Sequence, residues 1–296
     1  MTEQGIFDLK YLPLKISMIS LEQAELPPYL GSTLRGVIGQ SLYRIDREAY
    51  DFLYKNGGKC GNQQDIVKPY IIIPPEFHGD RYIVARGEEL VFEFLLLGDA
   101  IKYAPSLALA LQNIGQYGLG AQRYPFSLLR IVNREEQRIL WRRNIYYKTG
   151  ENEIRIPCHR LQNVTGAEIE LRTPLRIRRN GQLLTEIHFQ TLIRNITSRM
   201  SAITERYGGE VDRDEAERLV MLAGEVRTVR EDLRVLHLER YSNRVKDKMD
   251  FSGLMGRLEY EGELTPFVPW LSAAQILHIG RNTTFGMGKI EVQFLG

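Results

Sequence analysis

Cysteine is nearly absent: Cys60 and Cys158 are the two in 296 residues. Two thiols cannot build a disulfide framework, and without distant histidines they cannot complete a four-ligand zinc site. Cys158 and His159 are adjacent, but neighbouring side chains on extended backbone point apart, so the pair is not read as a metal site. Long apolar runs are also missing; none approaches the roughly 20 residues of a membrane helix. The opening "MTEQGIFDLKY" has neither the basic nor the apolar segment of a secretory signal, and the expected location is the cytoplasm, with no membrane partner. Net charge is small, +2 at pH 7, so the distribution of charge has to identify any partner. Nucleotide-cofactor loops are missing too. In "HIGRNTTFGMGKIEV" (278–292) the glycines read Gly280-x5-Gly286-x-Gly288 ahead of Lys289, and they run from a helix into a strand. Walker and dinucleotide loops run from strand to helix with other spacings. No cofactor is expected.

What is present is a repeated order of elements. "YLPLKISMIS" (11–20) alternates as a strand, with Pro13 expected to mark an edge or an irregularity. After Pro27, Pro28 and Gly31, with Ser32 as a candidate N-cap, Leu34, Val37, Ile38, Leu42 and Ile45 follow helical spacing. "PYIII" and "EELVFEFLLLG" are strand-like, Pro105 opens a helix running to Ile114, and "RYPFSLLRIV" is a strand again. This is the β-α-β-β-α-β order of a ferredoxin-like domain over residues 1–133. Residues 134–166 read as a connecting hairpin around "KTGEN".

Residues 167–296 repeat the order. "AEIELRTPLRIRR" alternates, with Arg172, Arg176 and Arg178 expected on one face. Phe189, Leu192, Ile193, Ile196, Met200, Ile203 and Tyr207 trace an apolar helical stripe, and Asp212 with Glu215 resembles a capping box opening an inserted helix. "LRVLHLERY" and "MDFSGLMGRLEYEG" are expected strands joined by the basic tip "SNRVKDK"; a helix from Pro266 to Gly280 and the strand "KIEVQF" follow. The halves also echo locally: "NIGQYGLG" and "HIGRNTTFGMG" both run Ile-Gly, a few residues, then Gly-x-Gly. The expected fold class is α+β: two tandem ferredoxin-like domains with antiparallel sheets, the second carrying a helical insertion and the glycine-rich loop.

Glycines permit positive φ and close backbone approach, and successive exposed amides can form an anion-binding nest. Gly280, Gly286 and Gly288 are placed for this, with Arg281, Asn282, Thr283, Thr284 and Lys289 as donors around them. A tight helix-to-strand turn is the alternative reason for the glycines. The second cationic group is Arg240, Asn243, Arg244, Lys246 and Lys248 on the expected hairpin. Such side chains either solvate a surface or contact phosphates; Tyr241 and Phe285 beside them either stack on bases or join the core.

"LPPYLGSTLRGVIGQSLYR" (26–44), "LLLGDA" (95–100), "GLGAQRYPFSLLRI" (118–131), "LRTPLRIRRNGQ" (171–182), "RYSNRVKDKMDFSGLMGRLEYEG" (240–262) and the glycine loop occur in family order over almost the whole chain. Through them the chain resembles the CRISPR-associated repeat-RNA-processing endoribonucleases of the RAMP superfamily. The resemblance implies two tandem ferredoxin-like domains and binding of CRISPR repeat RNA, single-stranded or hairpin. It also implies one metal-independent cut per repeat by the 2′-hydroxyl, leaving a 2′,3′-cyclic phosphate and a 5′-hydroxyl, and other CRISPR effector subunits as partners.

Such chemistry needs a base, an acid and donors for the phosphorane. Relatives often supply a histidine from the first helix or the loop before it, yet residues 26–54 contain none. The polar groups there are Tyr29, Arg35, Tyr43 and Lys55; Tyr43 and Arg35 are the catalytic candidates, with His278 beside the glycine loop as the candidate imidazole. His237 reads as structural, His188 as a helix-start residue, and His78 and His159 as loop residues without a companion motif. Relatives often carry a cysteine cluster after the first helix; with Cys60 alone there, no zinc is expected. Two alternatives remain: an RNA-binding module without catalysis, and a structural subunit of a CRISPR complex.

Overall fold

A computed structural model of the chain describes residues 6–55, 67–76, 81–147, 154–242 and 247–296. By contacts the chain divides into two compact units, Lys10–Ile154, and Met1–Leu9 together with Arg155–Gly296.

In the first unit, β1 (Lys10–Ser20) sends alternate residues Leu12, Leu14, Ile16 and Met18 into the core, and α1 (Gly31–Ile45) meets them with Leu34, Ile38 and Leu42. Then come α2 (Arg47–Tyr54), β2 (Tyr70–Ile73), β3 (Glu89–Leu97), α3 (Ala104–Gln112) and β4 (Phe126–Asn133). The strand order is β2-β3-β1-β4, antiparallel throughout, which is the ferredoxin-like arrangement. β5 (Arg138–Arg142) and the short strand Ile145–Tyr146 extend this sheet beyond β4. The "KTGEN" turn lies outside the described residues.

Two local expectations change. α1 starts at Gly31 with Leu30 as its N-cap residue, so Ser32 is already inside the helix. Pro13 lies in the central strand. Its carbonyl accepts from Arg134 N at 2.8 Å, so its missing N–H faces the same side, past Asn133 where β4 has ended.

The second unit repeats the order: β6 (Gly166–Leu175), α4 (Phe189–Tyr207), α5 (Arg213–Leu222), β7 (Arg227–Leu236), β8 (Glu239–Ser242), β9 (Asp247–Asp250), β10 (Gly253–Glu261), α6 (Val268–Leu277) and β11 (Ile290–Leu295). β7, β10, β6 and β11 form an antiparallel sheet in that order, while β8 and β9 pair as a separate hairpin. The α4 stripe is buried from Phe189 to Tyr207. Asp212 caps α5 by accepting from Glu215 N at 2.9 Å.

The faces of this sheet differ. Ala167, Ile169 and Leu171 are buried against the helices. Glu168, Glu170 and Arg172 point the other way, where Arg257 lies 3.3 Å from Glu168 and 3.7 Å from Glu170, and Arg172 lies 3.5 Å from Glu170 and 3.6 Å from Glu291. This outer face is a lattice of opposed charges.

Candidate nucleic-acid interface

α6 ends at Leu277, whose carbonyl accepts from Arg199 Nε at 2.9 Å. A cation at a helix C-terminus is favoured by the aligned peptide dipoles. Arg199 is buried on α4, and burial lowers its pKa to about 10, so it stays charged at neutral pH. His278 leaves the helix with φ 54°; its ring is fully buried and Nδ1 lies 3.1 Å from Met287 O.

Beyond it the chain turns on positive φ values at Gly280, Asn282, Gly286 and Gly288. Close approach explains two of the glycines. A Cβ on Gly280 would lie 2.6 Å from Arg176 O, and one on Gly288 would lie 1.8 Å from Ile279 O. The turn is docked on the end of β6. Arg281 N donates to Arg176 O at 2.8 Å and Gly288 N to Pro174 O at 3.1 Å. Thr173 Oγ1 donates to Gly286 O at 2.8 Å and accepts from Lys289 N at 2.9 Å. Lys289 O accepts from both Arg172 N and Thr173 N, at 2.9 and 3.3 Å, and the β6 register shifts between Leu171 and Leu175. Two consecutive amides on one carbonyl make a β-bulge.

This docking corrects the expectation of an open amide nest. The amides of Ile279, Arg281, Phe285, Gly286, Gly288 and Lys289 all donate within the protein, and Thr283, Thr284, Phe285, Gly286 and Gly288 are buried. Gly280, Arg281, Asn282 and Lys289 are the partly exposed positions. The side chains of Arg281, Asn282 and Lys289 stand at partly exposed positions, on a backbone held mostly by internal hydrogen bonds.

The bulge also redistributes the three arginines expected on one face. Arg172 stays on the outer sheet face among Glu170 and Glu291. Arg176, 3% exposed, and half-buried Arg178 lie past the bulge and converge on Asp250. Arg178 Nη2 donates to Asp250 Oδ2 at 2.8 Å and Arg176 Nη2 to the same oxygen at 3.3 Å, while Arg176 Nη1 donates to Ser252 O. Ser252 N donates to Asp250 Oδ1 at 2.8 Å. Burial lowers the Arg176 pKa; Asp250 opposes that, and the charges of Arg178 and Arg281 add to it, so Arg281 belongs to the same electrostatic cluster. Partial burial alone would raise the Asp250 pKa, but hydrogen bonds from Ser252 and the Arg176 charge outweigh it and hold it at about 2. Phe251 and Phe285 pack edge to face at 5.0 Å and are both buried, so Phe285 belongs to the core.

On the first unit, Arg35 Nε donates to Tyr70 Oη at 3.0 Å, its carbonyl accepts from Tyr54 Oη at 3.1 Å, and its guanidinium lies 5.1 Å from the Tyr54 ring. Tyr43 is 50% exposed, with Arg47 4.0 Å over its ring and Tyr50 edge-on at 5.0 Å. His188 is the exposed N-cap residue of α4 with no side-chain cap bond; His159 and His237 are exposed. Arg240 and Lys248 fall on strands β8 and β9. Asn243, Arg244, Lys246, His78 and Cys60 lie outside the described residues, as do the side chains of Arg240, Tyr241 and Lys248.

Four residues of the site have no counterpart in the sequence reading: Thr173, Arg199, Asp250 and Ser252. Arg199 carried a signal, because it sits seven residues after Leu192, on the apolar stripe of α4. Asp250 closes the basic tip "SNRVKDKMD", where an acid among cations is a candidate ion-pair partner.

Known proteins share this architecture. Residues 169–290 match the model of the CRISPR-associated endoribonuclease Cas6. The product complex of a Cas6 aligns with TM-score 0.60 at 15% identity, covering 96% of this chain and 100% of that one. Thermus thermophilus Cas6 aligns at 0.57 and 14%, covering 96% and 99%, and a RAMP protein binding different RNA substrates at 0.51 and 12%, covering 96% and 100%. The chain thus has the fold of these Cas6 and RAMP structures, and its C-terminal half is similar to the Cas6 endoribonuclease model. Residues 9–157, half of the chain, match the model AF_1859_N, an N-terminal domain, and the chain belongs to that family. An uncharacterized protein of Archaeoglobus fulgidus is 24% identical over 306 residues, covering 97% of this chain and 99% of that protein. Among the described residues no helix is long and apolar enough to cross a membrane.

Proposed function

We propose that the protein binds CRISPR repeat RNA in the cytoplasm and cuts it once per repeat without a metal ion, releasing guide RNAs to other CRISPR subunits. The observation that carries this reading is the convergence of Arg176, Arg178 and Arg281 at the docked glycine turn, inside the segment that matches the Cas6 endoribonuclease model. Arg281, Asn282, Lys289 and Arg178 would meet the phosphate backbone there; Arg240, Asn243, Arg244, Lys246 and Lys248 would extend the contact along the β8–β9 hairpin. In the cut, the 2′-oxygen attacks phosphorus as its proton passes to a base. The P–O5′ bond then breaks and the 5′-oxygen takes a proton from an acid, giving a 2′,3′-cyclic phosphate and a 5′-hydroxyl. Tyr43 is the exposed candidate for proton transfer, Arg35 would stabilise phosphorane charge, and buried His278 serves the turn rather than the reaction.

Incubation of the protein with repeat RNA in EDTA tests this. The expected result is cleavage at one phosphodiester with a cyclic phosphate end, and a loss of about a hundredfold in rate for Tyr43→Phe at unchanged RNA affinity. Uncut RNA bound tightly by the wild type would overturn catalysis and favour the second reading, a binding module. Two observations support that rival: residues 26–54 hold no histidine, and His278 is fully buried.

A further inference from the structure

Arg176 and Arg178 share one carboxylate, that of Asp250, with the charge of Arg281 acting on the same cluster. Each of the first two also keeps a buried Nε with no hydrogen-bond partner among the described residues. Buried guanidinium donors are normally satisfied, so this pocket holds more cationic and donor capacity than Asp250 uses. Asp250 itself is 54% exposed, at the end of β9, and can leave the pocket without disturbing the core. Ser252 and Gly253 lock the floor of the pocket. A Cβ on Gly253 would lie 2.9 Å from Pro174 Cβ and 3.1 Å from Arg176 Cγ, so β10 begins in direct contact with the segment that carries the arginines.

An RNA phosphodiester carries the same single charge as a carboxylate and accepts from the same guanidinium forks. We infer that the Asp250 carboxylate occupies the position of a backbone phosphate and is exchanged for one when RNA binds. The inference rests on the reading of this turn as an RNA-contacting surface and adds its regulation. Every anion entering the pocket must displace an internal competitor. A small anion gains one site at the expense of the carboxylate's ion pairs with Arg176 and Arg178. A polynucleotide, held at several phosphates at once, gains enough elsewhere to complete the exchange. Asp250 thus acts as a threshold favouring long polyanions over single phosphates.

Asp250→Asn tests this, because the amide oxygen still accepts from Ser252 N while the competing charge is gone. Affinity for a fluorescein-labelled single-stranded RNA is read by anisotropy across a salt series, with thermal unfolding recorded for each protein. Asp250→Asn is expected to bind about tenfold tighter than wild type, a gain abolished by adding Arg178→Met. Asp232→Asn makes the same charge change on β7, beside Arg230, and is expected to alter affinity less than about twofold. Equal or weaker binding by Asp250→Asn would overturn the exchange and make Asp250 a fixed organiser of the arginines. An equal gain from Asp232→Asn would reduce the effect to net charge and overturn it too. Binding by Asp250→Asn alone would support the exchange, whereas RNA bound by neither protein at any salt would remove the RNA reading itself.

Discussion

Two turns stand at the same place in the two units, between the second helix of the repeat and its fourth strand, and they close in different ways. The first, ahead of β4, closes on itself: Leu119 N donates to Tyr124 O at 2.8 Å, Tyr124 N to Leu119 O at 2.9 Å, and Gly118 N to Ile114 O at 3.0 Å. The second, ahead of β11, closes against β6 through Pro174, Arg176 and Thr173. Their glycines do the same work, with positive φ at Gly118 and Gly120 in one and at Gly286 and Gly288 in the other. The difference is length. Two residues separate the Ile-Gly and Gly-x-Gly pairs in the first turn and five in the second. The longer segment, Arg281–Phe285, belongs to the turn that docks on the bulge of β6, where Arg281 N meets Arg176 O. The positive φ of the Gly-x-Gly pair recurs in both places, and the proposed binding surface belongs to the second alone.

The largest test of this division uses matched glycines. In Gly288→Ala the new Cβ would lie 1.8 Å from Ile279 O, and in Gly118→Ala 2.1 Å from Arg123 O. Each should destabilise its unit by about 3 kcal/mol in urea titrations. Below the unfolding midpoint, Gly288→Ala should also weaken RNA binding and Gly118→Ala should not. Equal losses of binding would erase the proposed difference between the turns.

A smaller effect is expected from Thr173→Val, which leaves Lys289 N and Gly286 O without the hydroxyl that bridges them. The cost should be about 2 kcal/mol, with RNA affinity falling several-fold as the turn loosens on β6. A change limited to stability would mean that the turn keeps its binding geometry without that bridge.

The smallest effect is one of pH. Asp250 is held at about 2, below its ordinary carboxylate range near 3.9. The sign follows: its contribution to stability is complete above the unfolded value and is lost as pH falls through about 2. Solvent at the half-exposed carboxylate keeps that contribution modest. Acid titration should show this loss in wild type and not in Asp250→Asn. The Arg35 clasp in the first unit is made by Tyr70 and Tyr54, whose pKa values burial raises, so no comparable acid loss is expected there.

Most of this fold could be read from local pattern. Alternation in β1 and β6, the stripe on α4 and the Asp212 cap each depend on residues within a few positions of one another. The first part of β7 was hidden because Arg227–Asp232 lies at the sheet edge, where charge on both sides masks the strand period. The candidate site was legible in residue type and not in placement. Alternation put Arg172, Arg176 and Arg178 on one face, but the bulge between Leu171 and Leu175 breaks the period, and it depends on a carbonyl of Lys289, more than a hundred residues away. His278 looked reactive beside a glycine loop; its burial follows from the same docking.

The ion-paired outer side of the second sheet has a consequence for orientation. Ferredoxin-like RNA readers of the RRM kind lay bases on aromatic rings across the sheet. Here the corresponding surface offers Glu168, Glu170 and Glu291 beside Arg172 and Arg257. On the proposed reading, a transcript would find its partners at the glycine turn, because on this face the arginines are already paired with carboxylates.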